Sequence, residues 1–129
     1  MKPPEYTKVF ETSTGKYWFE GDLLYIVGKK GPQLDLQTAI KDTEEFKQKL
    51  GDKTVCAIID VSETTPASKE VREYNSQQLT HLFKAIAFVI KNPLTSMLAH
   101  VYMGVKPMPF PVKMFSNEKE ACAWITQYL

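Results

Sequence analysis

A group of polar side chains that could do chemistry follows an apolar run in the middle of the chain. The run, residues 55–59, is mostly β-branched, and it ends at an acid, Asp60. Ligands of open α/β sheets bind at the carboxyl ends of central strands, so an acid in this place could hold a polar ligand. The side chains concerned are Asp60, Ser62, Thr64, Thr65, Ser68 and Arg72.

Two interpretations of Asp60 and Arg72 stay open. Arg72 lies early in the helix predicted after this loop, close enough in sequence to reach back and share a polar ligand with Asp60. In the other interpretation the carboxylate is structural, paired with a cation or bonded to the N–H groups of its own loop.

The hydroxyls of Thr65 and Ser68 also have two interpretations. Thr65 followed by proline predicts a helix over residues 66–82, with Thr65 as the N-cap and Pro66 at the first helical position. A phosphate on Thr65 or Ser68 would lie near the positive end of that helix and be stabilised there. The alternative is that Thr65 caps the helix and the other hydroxyls are turn residues.

Motifs for metal, nucleotide or nucleophile chemistry are missing from the sequence. His81 and His100 are the only histidines, and neither has a Cys or an acid at a metal-ligand spacing. There is no nucleophile elbow and no phosphate-binding glycine loop. An enzyme would have only Asp60, without an evident partner base. We therefore predict no metal, no cofactor and no enzymatic activity.

Length and charge limit the class of protein further. The chain has 129 residues, which we expect to form a single domain over residues 1–129. Its net charge of +1 predicts no nucleic-acid binding, which needs a basic excess. Neither a transmembrane run nor a signal peptide is found, so a cytoplasmic protein is expected. Cys56 and Cys122 fall in apolar patterns and are predicted to be buried, reduced thiols.

The hydrophobic periodicity predicts an α/β fold with the element order βββαβαβαβα. The first three strands form an antiparallel meander, with Gly21 and Asp22 as a hairpin turn. The strand–helix units that follow require parallel strands. The first strand, residues 6–12, lies at an edge and could pair between two copies in a homodimer. Helices are predicted over 36–50, 66–82, 94–103 and after Asn117, and the last two strands over 84–90 and 112–115.

Several methionines and one phenylalanine near the C-terminus could line a pocket. The segment 106–111, KPMPFP, must be extended because of its prolines, and no regular element there would bury Met108 or Phe110. Together with Met97 and Met103 from the preceding helix, they could bind a small apolar, lipid-like ligand. The alternative is that all four side chains belong to the core.

The element order and several motifs resemble the STAS domain of anti-sigma-factor antagonists, and more closely the SpoIIAA-like bacterial proteins of unknown function. The motifs are IIDVS at residues 58–62, the helix after Thr65-Pro66 with Arg72, the strand 84–90 and the closing KMFSNEKEACAWI. The resemblance implies a mixed sheet backed by helices. It also implies a non-enzymatic, regulatory role in binding a protein partner or a small ligand.

The resemblance further implies a phosphorylation switch at the start of the helix after the central strand. Ser68 and Thr65 would be the modified residues here. The Asp-Ser-Ser-Gly type of site is absent, and the loop reads SETTPAS instead. We expect a protein partner to bind this loop, residues 62–68, and the helix that follows. The alternative function is a carrier or sensor of small ligands, with its pocket at residues 94–103 and 106–111.

Overall fold

The computed structural model describes residues 1–92 and 109–129. In this part of the chain the strands form one six-stranded sheet in the order β1-β2-β3-β4-β5-β6. The strands are β1 Phe10–Thr12, β2 Gly15–Glu20, β3 Leu23–Gly28, β4 Val55–Asp60, β5 Phe83–Val89 and β6 Val112–Phe115. The helices are α1 Leu36–Leu50, α2 Lys69–Leu82 and α3 Glu118–Ile125, and a 3₁₀ turn, Thr126–Tyr128, follows α3.

The sheet is mixed, as the sequence predicts. β1, β2 and β3 pair antiparallel with one another, whereas β3, β4, β5 and β6 run parallel. Parallel neighbours need crossover connections, and α1 and α2 provide them between β3 and β4 and between β4 and β5. The helix predicted over 94–103 lies outside the described residues.

Local signals set the ends of α1. The Asp35 carboxylate accepts a hydrogen bond of 2.8 Å from the Thr38 backbone N–H, as an N-cap residue does. This bond is the main reason why the pKa of Asp35 is lowered from its ordinary value. At the other end, Gly51 has a φ of 62° and donates its N–H to the Lys47 carbonyl. A positive φ is easy for glycine alone, so α1 ends where the sequence predicts.

The first strand is shorter than predicted. It begins at Phe10 rather than at residue 6, because the chain before it makes a turn in which Thr7 N–H donates to the Pro4 carbonyl. Tyr6 takes a φ of 68° at this turn, and its side chain is 96% exposed. The edge available for pairing between two copies is therefore three residues long.

Two hydrophobic layers cover the sheet. Cys56 and Ile58 of β4 face α3, where they pack with Ile125 and the fully buried Trp18. The residues between them, such as Ala57, face α1 and α2. A strand covered on both faces needs an almost continuous apolar run, which is what residues 55–59 provide. The apolar run thus places β4 in the centre and leaves Asp60 at its end.

Candidate functional site

The carboxyl ends of the parallel strands meet at one edge of the sheet. Val27 of β3 is the register partner of Asp60, and Asp60 is the partner of Val89 in β5. The segments that follow these strands, residues 29–35, 61–68 and 90–92, therefore emerge at the same edge. Most of the polar residues singled out in the sequence lie in the middle segment, and we call residues 62–68 the edge loop.

Asp60 is the buried acid of this edge, with 7% of its surface exposed. Its Oδ1 accepts a hydrogen bond of 2.9 Å from the Ser62 backbone N–H. Its Oδ2 lies 4.0 Å from Nζ of Lys91, whose side chain is 60% exposed. An ion pair of that length with an exposed lysine contributes little, so the hydrogen bond to the loop backbone is the stronger restraint. This geometry corresponds to the structural interpretation of Asp60.

Ser62 ties the edge loop to the end of β5. Its Oγ accepts a hydrogen bond of 3.0 Å from the Lys91 backbone N–H. One residue earlier, the Val61 N–H donates to the carbonyl of Val89 at 3.1 Å. Lys91 therefore contacts the edge loop through its backbone and approaches Asp60 through its charged side chain. Lys91 was not among the residues singled out in the sequence, although its position directly after a strand parallel to β4 predicts that it lies at this edge.

Thr65 ties the edge loop to the segment between β3 and α1. Its Oγ1 donates to the Gly31 carbonyl, and Nε2 of Gln33 donates to the Pro66 carbonyl at 3.0 Å. The predicted N-cap at Thr65 is therefore wrong, because its hydroxyl is bonded to a residue far away in sequence. The helix α2 begins at Lys69 rather than at Pro66.

Ser68 takes the position of the N-cap instead. Its Oγ accepts from the Val71 N–H at 3.4 Å, and its carbonyl accepts from the Arg72 N–H at 2.9 Å. The Arg72 guanidinium turns back and donates to the Ala67 carbonyl at 3.0 Å. In these contacts Arg72 supports the backbone of the edge loop, and it is Lys91 that lies 4.0 Å from the Asp60 carboxylate.

Thr64 packs against Gly28 at the end of β3. A Cβ atom added to Gly28 would lie 1.9 Å from Oγ1 of Thr64, so only glycine leaves room for this hydroxyl. Oγ1 is buried, and it has no hydrogen-bond partner among the described residues. Gly28 was not among the residues singled out in the sequence. A glycine at a strand end often marks such a close approach.

An open cleft runs along the edge. Its volume is about 680 Å³, and its floor includes Asp60. Two lysines and two acids line it, which gives it a balanced charge. The lining residues are Val27, Gly28, Lys30, Asp60, Ser62, Glu63, Thr64, Lys91 and Asn92.

The predicted apolar pocket falls mostly outside the described residues. Met97, Met103 and Met108 all lie there. Phe110 is described, and it is partly buried against the hydrophobic layer that faces α1 and α2. The position of Phe110 corresponds to the alternative in which this side chain belongs to the core.

The two cysteines lie on the face of the sheet that α3 covers, in the hydrophobic layer that also contains Trp18 and Ile125. Cys56 is buried, and burial raises the pKa of its thiol. Cys122 is only partly buried, so the prediction of two buried thiols is confirmed for Cys56 alone. Burial also raises the pKa of Tyr25. The hydrogen bond between the Tyr25 hydroxyl and the Cys122 sulfur, 3.6 Å long, raises it further.

The described residues contain neither a cluster of metal ligands nor a helix that could span a membrane. In residues 1–92 and 109–129, no three His, Cys, Asp or Glu side chains lie together in a way that could hold a metal ion. None of the α-helices in this part of the chain has the length and hydrophobicity to cross a bilayer.

Comparisons with known proteins give a family and a fold. Residues 17–129 match the model of the family described as Domain of unknown function (DUF7793). None of the curated proteins matches the chain significantly. The structure is similar to that of an uncharacterized protein of the DUF3478 family with a SpoIIAA-like fold from Shewanella loihica PV-4. The TM-score is 0.61 at 18% identity, over 97% of this chain and 98% of that chain.

A second solved structure is less similar. It is a protein with unknown function from Arthrobacter sp. FB24, with a TM-score of 0.29 at 19% identity, over 81% of this chain and 92% of that chain. That score is too low to indicate a shared fold. The first comparison, at 0.61, confirms the predicted SpoIIAA-like α/β fold.

Proposed function

This chain belongs to the DUF7793 family of domains of unknown function, and we propose that it is a non-enzymatic regulatory module of the STAS type. It binds a protein partner through the edge loop and the helix α2. The observation that carries the proposal is that side-chain hydrogen bonds hold the edge loop while its tip is exposed. The SpoIIAA-like fold adds support, since it is the fold that the STAS resemblance implies.

The restraints on the edge loop come from both neighbouring segments. Ser62 bonds to Lys91 on one side, and Thr65 bonds to Gly31 on the other. Between these anchors the side chain of Glu63 is exposed, and Pro66 beyond them is exposed as well. A loop that is already ordered loses little conformational entropy when a partner binds, which favours affinity.

The first turns of α2 extend this surface. Lys69, Glu70 and Glu73 are exposed and follow the edge loop directly in sequence. They carry both signs of charge, which suits recognition by a complementary surface and fast association rather than an obligate hydrophobic interface. The partner surface proposed here therefore runs from Glu63 to Glu73.

The positions of the titratable groups support a non-enzymatic role. Asp60 already accepts the Ser62 N–H and lies near Lys91. His81 is in the last turn of α2, which leads directly into the amino end of β5, so it lies at the opposite end of the sheet from Asp60. A general base has to be within hydrogen-bond reach of the group it serves.

The regulatory step would be phosphorylation of Thr65 or Ser68. A phosphate on Thr65 would remove the hydroxyl proton that bonds Gly31, and it would add charge to the proposed surface. Intact-mass measurement of the protein isolated from its native cells tests this step. A single unmodified mass under all growth conditions would contradict it.

A matched pair of acids tests the partner surface. Glu63 and Asp52 are both exposed and flank the two ends of β4. A photo-crosslinking amino acid at position 63 should capture one discrete protein in native cells, and the same group at position 52 should not. With that protein purified, Glu63→Lys should weaken binding by roughly tenfold, whereas Asp52→Lys should change it by about twofold at most.

Stability measurements keep this test specific. Both charge reversals change exposed side chains, so the melting temperature should stay within about 2 °C of wild type. Equal crosslinking at positions 52 and 63, or equal effects of the two reversals on affinity, would contradict the proposed surface.

A further inference from the structure

A small cavity shares Thr64 with the open cleft as a lining residue. Its walls come from the turn between β1 and β2, the segment between β3 and α1, the edge loop and the first turns of α2. Its volume is about 150 Å³. A cavity of that volume can hold a molecule the size of benzene, with about six non-hydrogen atoms.

The walls of the cavity carry positive charge and combine polar with apolar side chains. Among the described residues that line the cavity, Lys29 is the one charged side chain, and no acid is present. Leu34 and Ala67 provide apolar surface, and Asn75 brings an amide with two N–H donors. A ligand that suits these walls has a negative, hydrogen-bond-accepting end and a short hydrocarbon end.

Thr64 supplies a second reason to expect such a ligand. Its hydroxyl is buried against Gly28 and has no hydrogen-bond partner among the described residues. A buried hydroxyl without a partner is unfavourable. Rotation of χ1 to another staggered position moves the hydroxyl away from Gly28. A ligand oxygen in the cavity that accepted a hydrogen bond from the Thr64 hydroxyl would stabilise the rotated form.

We propose that this cavity binds a short-chain carboxylate. The carboxylate lies toward Lys29, Asn75 and the rotated Thr64 hydroxyl, and the carbon chain packs on Leu34 and Ala67. The proposal does not depend on the partner surface, because it concerns the purified protein alone.

Butyrate is the probe, since it has the charge and approximate size that the cavity suits. Titration of the purified, isotope-labelled full chain should shift the backbone amide NMR signals of Thr64, Val71 and Asn75 along saturable curves. Butyramide, which is nearly the same size but neutral, should bind about tenfold more weakly. Butyrate shifts that scatter over the surface without saturating, or equal affinities for the two compounds, would overturn the proposal.

A pair of lysine variants tests the charge. Lys29→Gln should weaken butyrate binding by about tenfold and leave butyramide binding unchanged. Lys53→Gln removes an equally exposed lysine from the opposite end of the sheet, and it should leave both affinities at the wild-type value. If the two variants bind butyrate equally, Lys29 does not hold the carboxylate and the proposal fails.

Thr64→Val tests the hydroxyl, because valine keeps the shape of the side chain and removes the polar group. Without a ligand, the variant should have a higher melting temperature than wild type, since an unpaired hydroxyl has been removed. It should also bind butyrate several-fold more weakly. A variant that binds butyrate as wild type does would overturn the assigned role of Thr64.

Discussion

The two ends of the central strand β4 differ in their hydrogen bonds, which are local and backbone-only at one end and long-range and made by side chains at the other. At the amino end, residues 51–54 form a short exposed turn, in which Gly51 N–H bonds to Lys47 and Lys53 N–H bonds to Leu50. At the carboxyl end, side chains of the edge loop bond to residues about 30 positions away in sequence, at Lys91 and Gly31. One end is a local backbone turn, and the other is a junction of three segments.

This difference has a consequence for mutation. A local turn tolerates changes of exposed side chains, because its backbone bonds do not involve them. A junction held by side chains loses bonds between segments when one of those side chains is removed. The carboxyl end is therefore the part of the molecule where single substitutions should change both stability and the shape of the proposed partner surface.

The largest effect is expected for the buried acid. Asp60→Ala removes the acceptor of the Ser62 N–H and the charge beside Lys91, and it should lower the free energy of unfolding by about 2–3 kcal/mol. Asp52→Ala, at the amino end, should change it by about 0.5 kcal/mol at most. Urea denaturation measures both. Asp60→Asn keeps an oxygen for the Ser62 N–H and should fall between them. Equal losses for Asp60→Ala and Asp52→Ala would show that the two ends do not differ.

A smaller effect is expected where two segments pack without a hydrogen bond. The Cβ of Gly28→Ala would lie 1.9 Å from Oγ1 of Thr64, and the forced movement should cost about 1–2 kcal/mol. Gly31→Ala is the control, because a Cβ there meets no atom within 4 Å. In the double variant Gly28→Ala/Thr64→Ala, part of the loss should be recovered, as a coupled pair requires. Strictly additive losses would mean that the loop does not rest on Gly28.

The smallest effect is expected for a local restraint at the same edge, the N-cap of α1. Hydrogen bonds from Thr38 lower the pKa of Asp35 below its ordinary value of 3.8, so the ionised carboxylate stabilises the fold above that pH. The contribution disappears as the pH falls through the lowered pKa. Asp35→Ala should therefore melt below wild type at pH 7, and the difference should shrink in acid.

Asp35→Asn provides the control for this prediction, since asparagine also caps helices but does not ionise in this range. The difference in melting temperature between the asparagine and alanine variants should persist in acid. If wild type and Asp35→Ala differ equally at both pH values, ionisation of Asp35 does not stabilise α1.

Local chemistry predicted much of the fold. The bounds of α1 and β6 agree with the prediction. The apolar stripe of α1 and Gly51 at its end define the helix locally, and the neighbouring turns define β6. Asn117 caps α3 through the Glu120 N–H, as the spacing of these two residues predicts. The parallel direction of the later strands also follows from the alternation of strands and helices.

The candidate site was predicted only in part. The sequence located Asp60 and the edge loop, because a buried strand that ends in a polar loop marks the edge of an α/β sheet. It placed the helix start at Pro66, because Thr65 has the right residue type for a cap. Gly31 accepts the Thr65 hydroxyl instead, and no local pattern indicates that contact. Ser68, three positions later, caps α2.

The sequence by itself determined which residues form the central strand, where its acid lies and which hydroxyls follow it. These features depend on periodicity and on neighbours in the chain. The tertiary structure alone decided that Lys91 meets Asp60, that Thr65 anchors to Gly31 and that Thr64 rests on Gly28. Each of these contacts joins segments about 30 or more residues apart, which only sheet formation brings to one edge.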